Sequence, residues 1–132
     1  MDKIALKVFP YRQDAKKHFF PIIPLRVHHS NITIDSAALV DSGATVSVFK
    51  KEVAQQLGVK IEKGIEIYLG GVGGHIKGYI HRLRMQIAGK EFLCPIVFSH
   101  EYFVSFNLLG REGFFNKFRI IFEEKKNHLK LE

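Results

Sequence analysis

Punctuation runs the length of this chain and limits what it can fold into. Short segments rich in Val, Ile, Phe and Tyr are cut apart by Gly, Pro or polar pairs almost throughout. The pattern predicts strands at Ile4–Phe9, Pro21–Val27, Ile32–Ile34, Ala37–Val40, Ile65–Leu69, Tyr79–Ile87, Glu91–Leu93 and Pro95–Phe98. Ala88-Gly89 reads as a hairpin turn between two of them. One stretch carries a good helical period, Lys50–Leu57, where Phe49, Val53 and Leu57 recur every four residues. Ser47 stands near its N-cap and Gly58 sits where a terminating glycine belongs. A second short helix is expected from Arg111 to about Asn116, then a strand at Phe118–Glu123. Pro10, Pro21 and Pro24 break the first thirty residues into an edge strand and a loop. Many short strands with one or two short helices mean an all-β barrel or sandwich.

Composition removes other classes. A chain of 132 residues fits one domain, 1–132, and folding at that size buries about two thirds of the unfolded surface, enough for one core. Apolar residues at 46% and charged residues at 25% exclude wholesale disorder. No apolar run could span a bilayer, and no apolar block follows Lys3 and Lys7, so neither a membrane partner nor a signal peptide is expected. The single cysteine, Cys94, cannot close an internal disulfide, which points to the cytoplasm; ahead of Pro95 it reads as a buried small hydrophobe. Of the net charge of +7, +4 sits in residues 1–30, around Arg12, Lys16 and Lys17. With no long basic run or glycine-aromatic signature, a solvated surface is expected in preference to bound nucleic acid. Only His28 and His29 of the seven histidines are adjacent, and strand neighbours point to opposite faces, so no metal site is expected.

Chemistry concentrates in three places. In Leu39-Val40-Asp41-Ser42-Gly43-Ala44 an apolar strand runs into an acid, then into small residues that permit a sharp turn. A carboxylate at the mouth of a buried strand is costly unless it is paired or functional, although an ordinary Asp-Ser-Gly turn fits the same tripeptide. In Tyr68-Leu69-Gly70-Gly71-Val72-Gly73-Gly74-His75-Ile76-Lys77, four glycines surround one valine between strand-like flanks, which describes a hairpin with a mobile tip. A phosphate-binding loop would need a following Gly-Lys-Ser/Thr and a helix, and the chain has neither there. In Phe106-Asn107-Leu108-Leu109-Gly110-Arg111 an apolar strand ends at a glycine.

Together and in this order, the three motifs resemble those of the retropepsin-like aspartic proteases, the single-domain group that includes the retroviral enzymes. The resemblance spans residues 36–116 approximately. It implies a closed acid-protease barrel and a homodimeric endopeptidase acting on peptide or protein, with no organic cofactor needed. Asp41 corresponds to the catalytic acid, with Ser42 bracing it and Gly43 leaving room for an extended peptide beside Ala44. Residues 68–79 correspond to the flap over the substrate, with Gly71, Val72, Gly73 and Ile76 touching it. Phe106 and Leu108 correspond to pocket residues, and Gly110 and Arg111 to the structural segment beneath the site. Residues 1–30 form an N-terminal edge segment and 111–132 a C-terminal helix and strand. Catalysis of this type needs two carboxylates on one water, yet the chain has one Asp-Ser-Gly. The second carboxylate is therefore expected from a second copy across a twofold axis. The alternative on the same residues is a dimeric module that holds peptides without cutting them.

The chain departs from the family pattern in places. Thr45 stands where viral members usually carry an acid that pairs with the arginine corresponding to Arg111. His75 replaces a commonly apolar flap residue; an exposed flap side chain is the plainer reading, with pH tuning as the alternative. The extended termini suggest a different dimer interface. Phe114, Phe115, Phe118 and Phe122 are expected as core or dimer contacts.

Overall fold

The computed structural model describes residues 6–71 and 74–132. The strands are β1 (Lys7–Pro10), β2 (Arg12–Gln13), β3 (Phe19–Phe20), β4 (Ile22–His29), β5 (Ile32–Val40) and β6 (Ser47–Phe49), followed by helix α1 (Lys51–Leu57). After α1 come β7 (Ile65–Gly71), β8 (Gly74–Ile87), β9 (Lys90–Phe98), β10 (Asn107–Leu109), β11 (Ile120–Glu123) and β12 (His128–Leu131). Three single 3-10 turns complete the list, at Ile61–Lys63, Phe115–Lys117 and Glu124–Lys126. Mostly-β architecture with one short α-helix is what the punctuation predicts.

A seven-stranded sheet runs β4-β5-β10-β6-β9-β8-β7, and β8 also pairs back onto β4 through Arg26↔Gln86, Val27↔Met85 and His28↔Arg84. Its inward side chains, among them Ile23, Ala38, Met85, Ile96 and Leu109, are fully buried. Burying apolar surface of this kind is the main favourable term in folding. Helix α1 buries Val53, Ala54 and Leu57 against that core, and Gly58 ends it at φ 72 as expected. Ala88 (φ 51) and Gly89 (φ 81) make the tight turn between β8 and β9, both in the left-handed region that two-residue hairpins need.

Several expectations are corrected. Ile32–Ile34 and Ala37–Val40 are one strand, because β4 pairs along all of it from His29↔Ile32 to Ile22↔Leu39 and Arg26 bridges Asp35 at 2.8 Å. Glu91–Leu93 and Pro95–Phe98 are likewise one strand. Pro95 lies one residue before β9 gains β6 as a second partner at Ile96, where a missing N–H costs least. The helix predicted from Arg111 is a turn followed by the 3-10 turn at Phe115–Lys117. Gly113 at φ 79 stops helical propagation there, and its Cα faces the Pro95 ring closely enough that a Cβ would lie 2.4 Å from Cδ. Ser47 does not cap α1; it lies inside β6, fully buried, and the Lys50 N–H is taken by the Asn107 side chain at 2.8 Å. The C-terminal strand β12 was not expected. It lies between β1 and β11 in a separate three-stranded sheet, so the two ends of the chain pair with each other.

Candidate active site

Strands β5 and β10 run parallel, with Asn107↔Ala38, Leu108↔Leu39 and Leu109↔Val40 in register. Both end at the same level, and the chain turns out of the sheet at Asp41. Its N–H is held by the Leu109 carbonyl at 3.0 Å, so the last rung of the parallel ladder fixes where the acid begins. One carboxylate oxygen, Oδ1, accepts the Gly43 N–H at 2.9 Å, and the Asp41 carbonyl accepts the Ala44 N–H at 3.2 Å. These bonds orient the carboxylate from its own loop. A Cβ at Gly43 would lie 3.3 Å from Oδ1, so glycine keeps this approach unobstructed. Asp41 is half-buried, while Ser42 and Gly43 are exposed.

The segment after β10 locks the loop from below. Gly110 donates its N–H to the buried Ser47 hydroxyl at 3.0 Å, and Arg111 and Glu112 donate theirs to the Ala44 and Thr45 carbonyls at 2.9 and 2.8 Å. A Cβ on Gly110 would fall 2.4 Å from both the carbonyl carbon and oxygen of Val46, so this crossing admits only glycine. The Arg111 side chain is exposed and, among the described residues, makes no ion pair. It lines a cavity of about 560 Å³ with Thr45, Glu112, Phe115 and Asn116, so it stays beside Thr45 without the acid usual at that position.

Asn107 was not singled out from the sequence, yet its buried amide ties three elements together. Oδ1 accepts from Lys50, and Nδ2 donates to the Ala37 carbonyl at 2.9 Å and the Ser36 hydroxyl at 3.2 Å. A lone amide inside the apolar run Phe106–Leu109 was the available signal. Tyr102 was also missed. Its hydroxyl donates to the Phe106 carbonyl at 2.7 Å; burial pushes the phenol up to about 12, and the neighbouring Asp41 carboxylate adds to the shift. It therefore stays neutral and donating near the acid. Nothing in the spacing of Ser99-His100-Glu101-Tyr102 marks that tyrosine.

Leu108 and Phe106 are half-buried, Leu108 one rung before the end of the ladder and Phe106 with its ring 6.3 Å from that of Phe20. The glycine-rich segment is a hairpin as expected: β7 and β8 pair without interruption from Ile65↔Ile80 to Gly71↔Gly74. Val72 and Gly73 lie outside the described residues. Gly71 and His75 are exposed and Ile76, opposite Leu69 in the hairpin, is half-buried. The lower hairpin is anchored. Gly78 fits where a Cβ would meet Val97 Cγ1 at 2.5 Å, and Ser99 donates to the Lys77 carbonyl.

Other residues have ordinary roles. Cys94 is fully buried, and burial pushes its thiol up to about 11. Phe114 is fully buried against Phe115 and Phe118, whereas Phe122 is 39% exposed. His28 pairs with Thr33, and among the described residues no group of His, Cys, Asp or Glu is placed to hold a metal. Among the described residues, no helix is long and apolar enough to cross a membrane.

An acid on a turn where two parallel strands end, crossed beneath by an apolar-apolar-glycine segment, defines a class. The family model described as aspartyl protease matches residues 23–98, and the chain belongs to that family. Among solved structures it is similar to a retropepsin-like aspartic protease from Rickettsia conorii, with a TM-score of 0.64 and 24% identity over 99% of this chain and 95% of that one, a likeness of fold. No curated protein matches the chain.

Proposed function

We propose that the protein is an aspartic endopeptidase whose two catalytic carboxylates are the Asp41 side chains of two copies related by a twofold axis. The observation that carries this reading is the Asp41 turn itself. One oxygen is oriented by the Gly43 N–H, the loop is locked by Gly110, and the acid remains partly open to solvent. A single such turn supplies one of the two acids the family's chemistry needs. Two carboxylates brought together cannot both ionise cheaply and share one proton, as is established for aspartic proteases.

The ionised member takes a proton from a water, whose oxygen attacks the scissile carbonyl carbon. The protonated member gives its proton to the carbonyl oxygen. Collapse of the tetrahedral gem-diol breaks the C–N bond: the proton held by the first carboxylate goes to the leaving amine, and one diol hydroxyl returns its proton to the second carboxylate as the carbonyl re-forms, so the pair again shares one proton. Ser42, exposed beside the acid, braces the pair by hydrogen bonding. The β7–β8 hairpin acts as the flap, adding backbone hydrogen bonds to an extended peptide, with Gly71, Val72, Gly73 and Ile76 above it. Ala44, Phe106 and Leu108 give the groove an apolar lining and a preference for apolar residues beside the cut. The return of β8 onto β4 supports a closed barrel as the frame of each copy.

The test is cleavage of a random peptide library by wild type and Asp41→Asn between pH 4 and 8, with sedimentation alongside. The reading predicts a cutting wild type and a silent variant of the same dimeric mass. Two silent dimers would replace it with a peptide-binding module.

A further inference from the structure

The stretch from Ser99 to Phe106 joins β9 to β10 without regular structure. Its middle has little packing to hold it, since Phe103 is 82% exposed and Val104 42%. Its two ends are fixed by side chains the peptidase reading does not use. At one end Ser99, fully buried, spends its hydroxyl twice: it donates to the Lys77 carbonyl of β8 at 2.5 Å and accepts the Glu101 N–H at 3.0 Å. The Glu101 carboxylate accepts the Lys77 N–H at 3.4 Å, so both backbone polar groups of one hairpin residue are held by this turn. At the other end the Tyr102 N–H meets the Ser99 carbonyl at 3.4 Å, and the Tyr102 hydroxyl donates to the Phe106 carbonyl. Phe106 immediately precedes β10, whose last residue, Leu109, holds the Asp41 N–H. Hydrogen bonds and three residues of strand thus connect the base of the hairpin to the acid.

We propose that Tyr102 is a positioning residue for Asp41 and that Ser99 extends its hold to the β7–β8 hairpin, so that the Ser99–Phe106 loop braces the acid against the flap. The proposal rests on the reading of Asp41 as the catalytic acid. Where an exposed loop is held by few hydrogen bonds, losing one lets it open locally while the core stays closed.

The experiment compares wild type, Tyr102→Phe and Ser99→Ala by amide hydrogen exchange without substrate, and by kcat and KM on fluorescein-labelled casein. Tyr102→Phe keeps the ring and removes only the hydroxyl. It should speed exchange in Asp41–Ala44 by roughly fivefold or more while α1 exchanges at the wild-type rate. It should lower kcat by roughly tenfold with KM within about twofold, because a misplaced acid costs turnover more than binding. Ser99→Ala should speed exchange both there and in the lower hairpin. Unchanged exchange in Asp41–Ala44 of Tyr102→Phe would overturn the brace, as would a raised KM at wild-type kcat. A wild type that cuts nothing removes the peptidase reading, while the exchange comparison still decides whether the loop holds the acid.

Discussion

The Asp41 loop and the β7–β8 hairpin are both announced by glycines, and their glycines do opposite work. At Gly110 there is no room: a Cβ would sit 2.4 Å from the Val46 backbone and 2.9 Å from the Ala44 oxygen, so glycine is present because chains cross in contact. At Gly71 and Gly74 a Cβ would meet nothing within 4 Å. Glycine is used there for backbone freedom, as Gly74 at φ +125 shows. One region is built to hold a carboxylate still, and the other to leave its glycine backbone exposed.

That contrast can be broken by substitution. Gly110→Ala should have the largest effect, about 3 kcal/mol or more of lost stability, because backbone atoms must move to admit the methyl. Urea unfolding measures it, and a loss within about 0.5 kcal/mol would deny the tight crossing. Ser47→Ala should cost roughly 1–3 kcal/mol by leaving the buried Gly110 N–H without its acceptor. The braced side should also weaken in alkali. Burial raises the Cys94 thiol from 9.0 to about 11 and, with a contribution from Asp41, the Tyr102 phenol from 10.0 to about 12. Both groups favour folding while neutral, so their contribution is complete below pH 9 and is lost as pH climbs through those values. Melting temperatures between pH 8 and 11 should fall, and Cys94→Ala should flatten the lower part of that decline. Gly71→Ala should be the mildest change, within about 0.5 kcal/mol, and a larger loss would mean that the tip packs on something.

The sequence made the Asp41 turn, the hairpin, α1 with its glycine stop and the Ala88-Gly89 turn legible, because each rests on local chemistry. It misplaced what distant partners decide. Ser47 looks like a cap by position and is an acceptor for a residue 63 positions away. Pro95 looks like a strand break, yet β8 pairs on either side of it. The alternation His128-Leu129-Lys130-Leu131 is too short to predict a strand alone, and becomes one because β1 and β11 flank it. At the site, the acid and its glycines were readable from their motif. Asn107 and Tyr102 were not, since a buried amide and a tyrosine acquire meaning only from the backbone groups they face.

The shared pair of Asp41 side chains is tested most directly by mixing. Asp41→Asn protein is added in increasing amounts to a fixed amount of wild type, with time allowed for subunit exchange, and cleavage of a peptide library is followed. If two copies each supply one carboxylate, mixed dimers are dead and activity per wild-type chain falls as the variant is added, approaching zero in large excess. Activity that stays constant per wild-type chain would mean that one copy carries the whole reaction, and the account would be wrong at its centre.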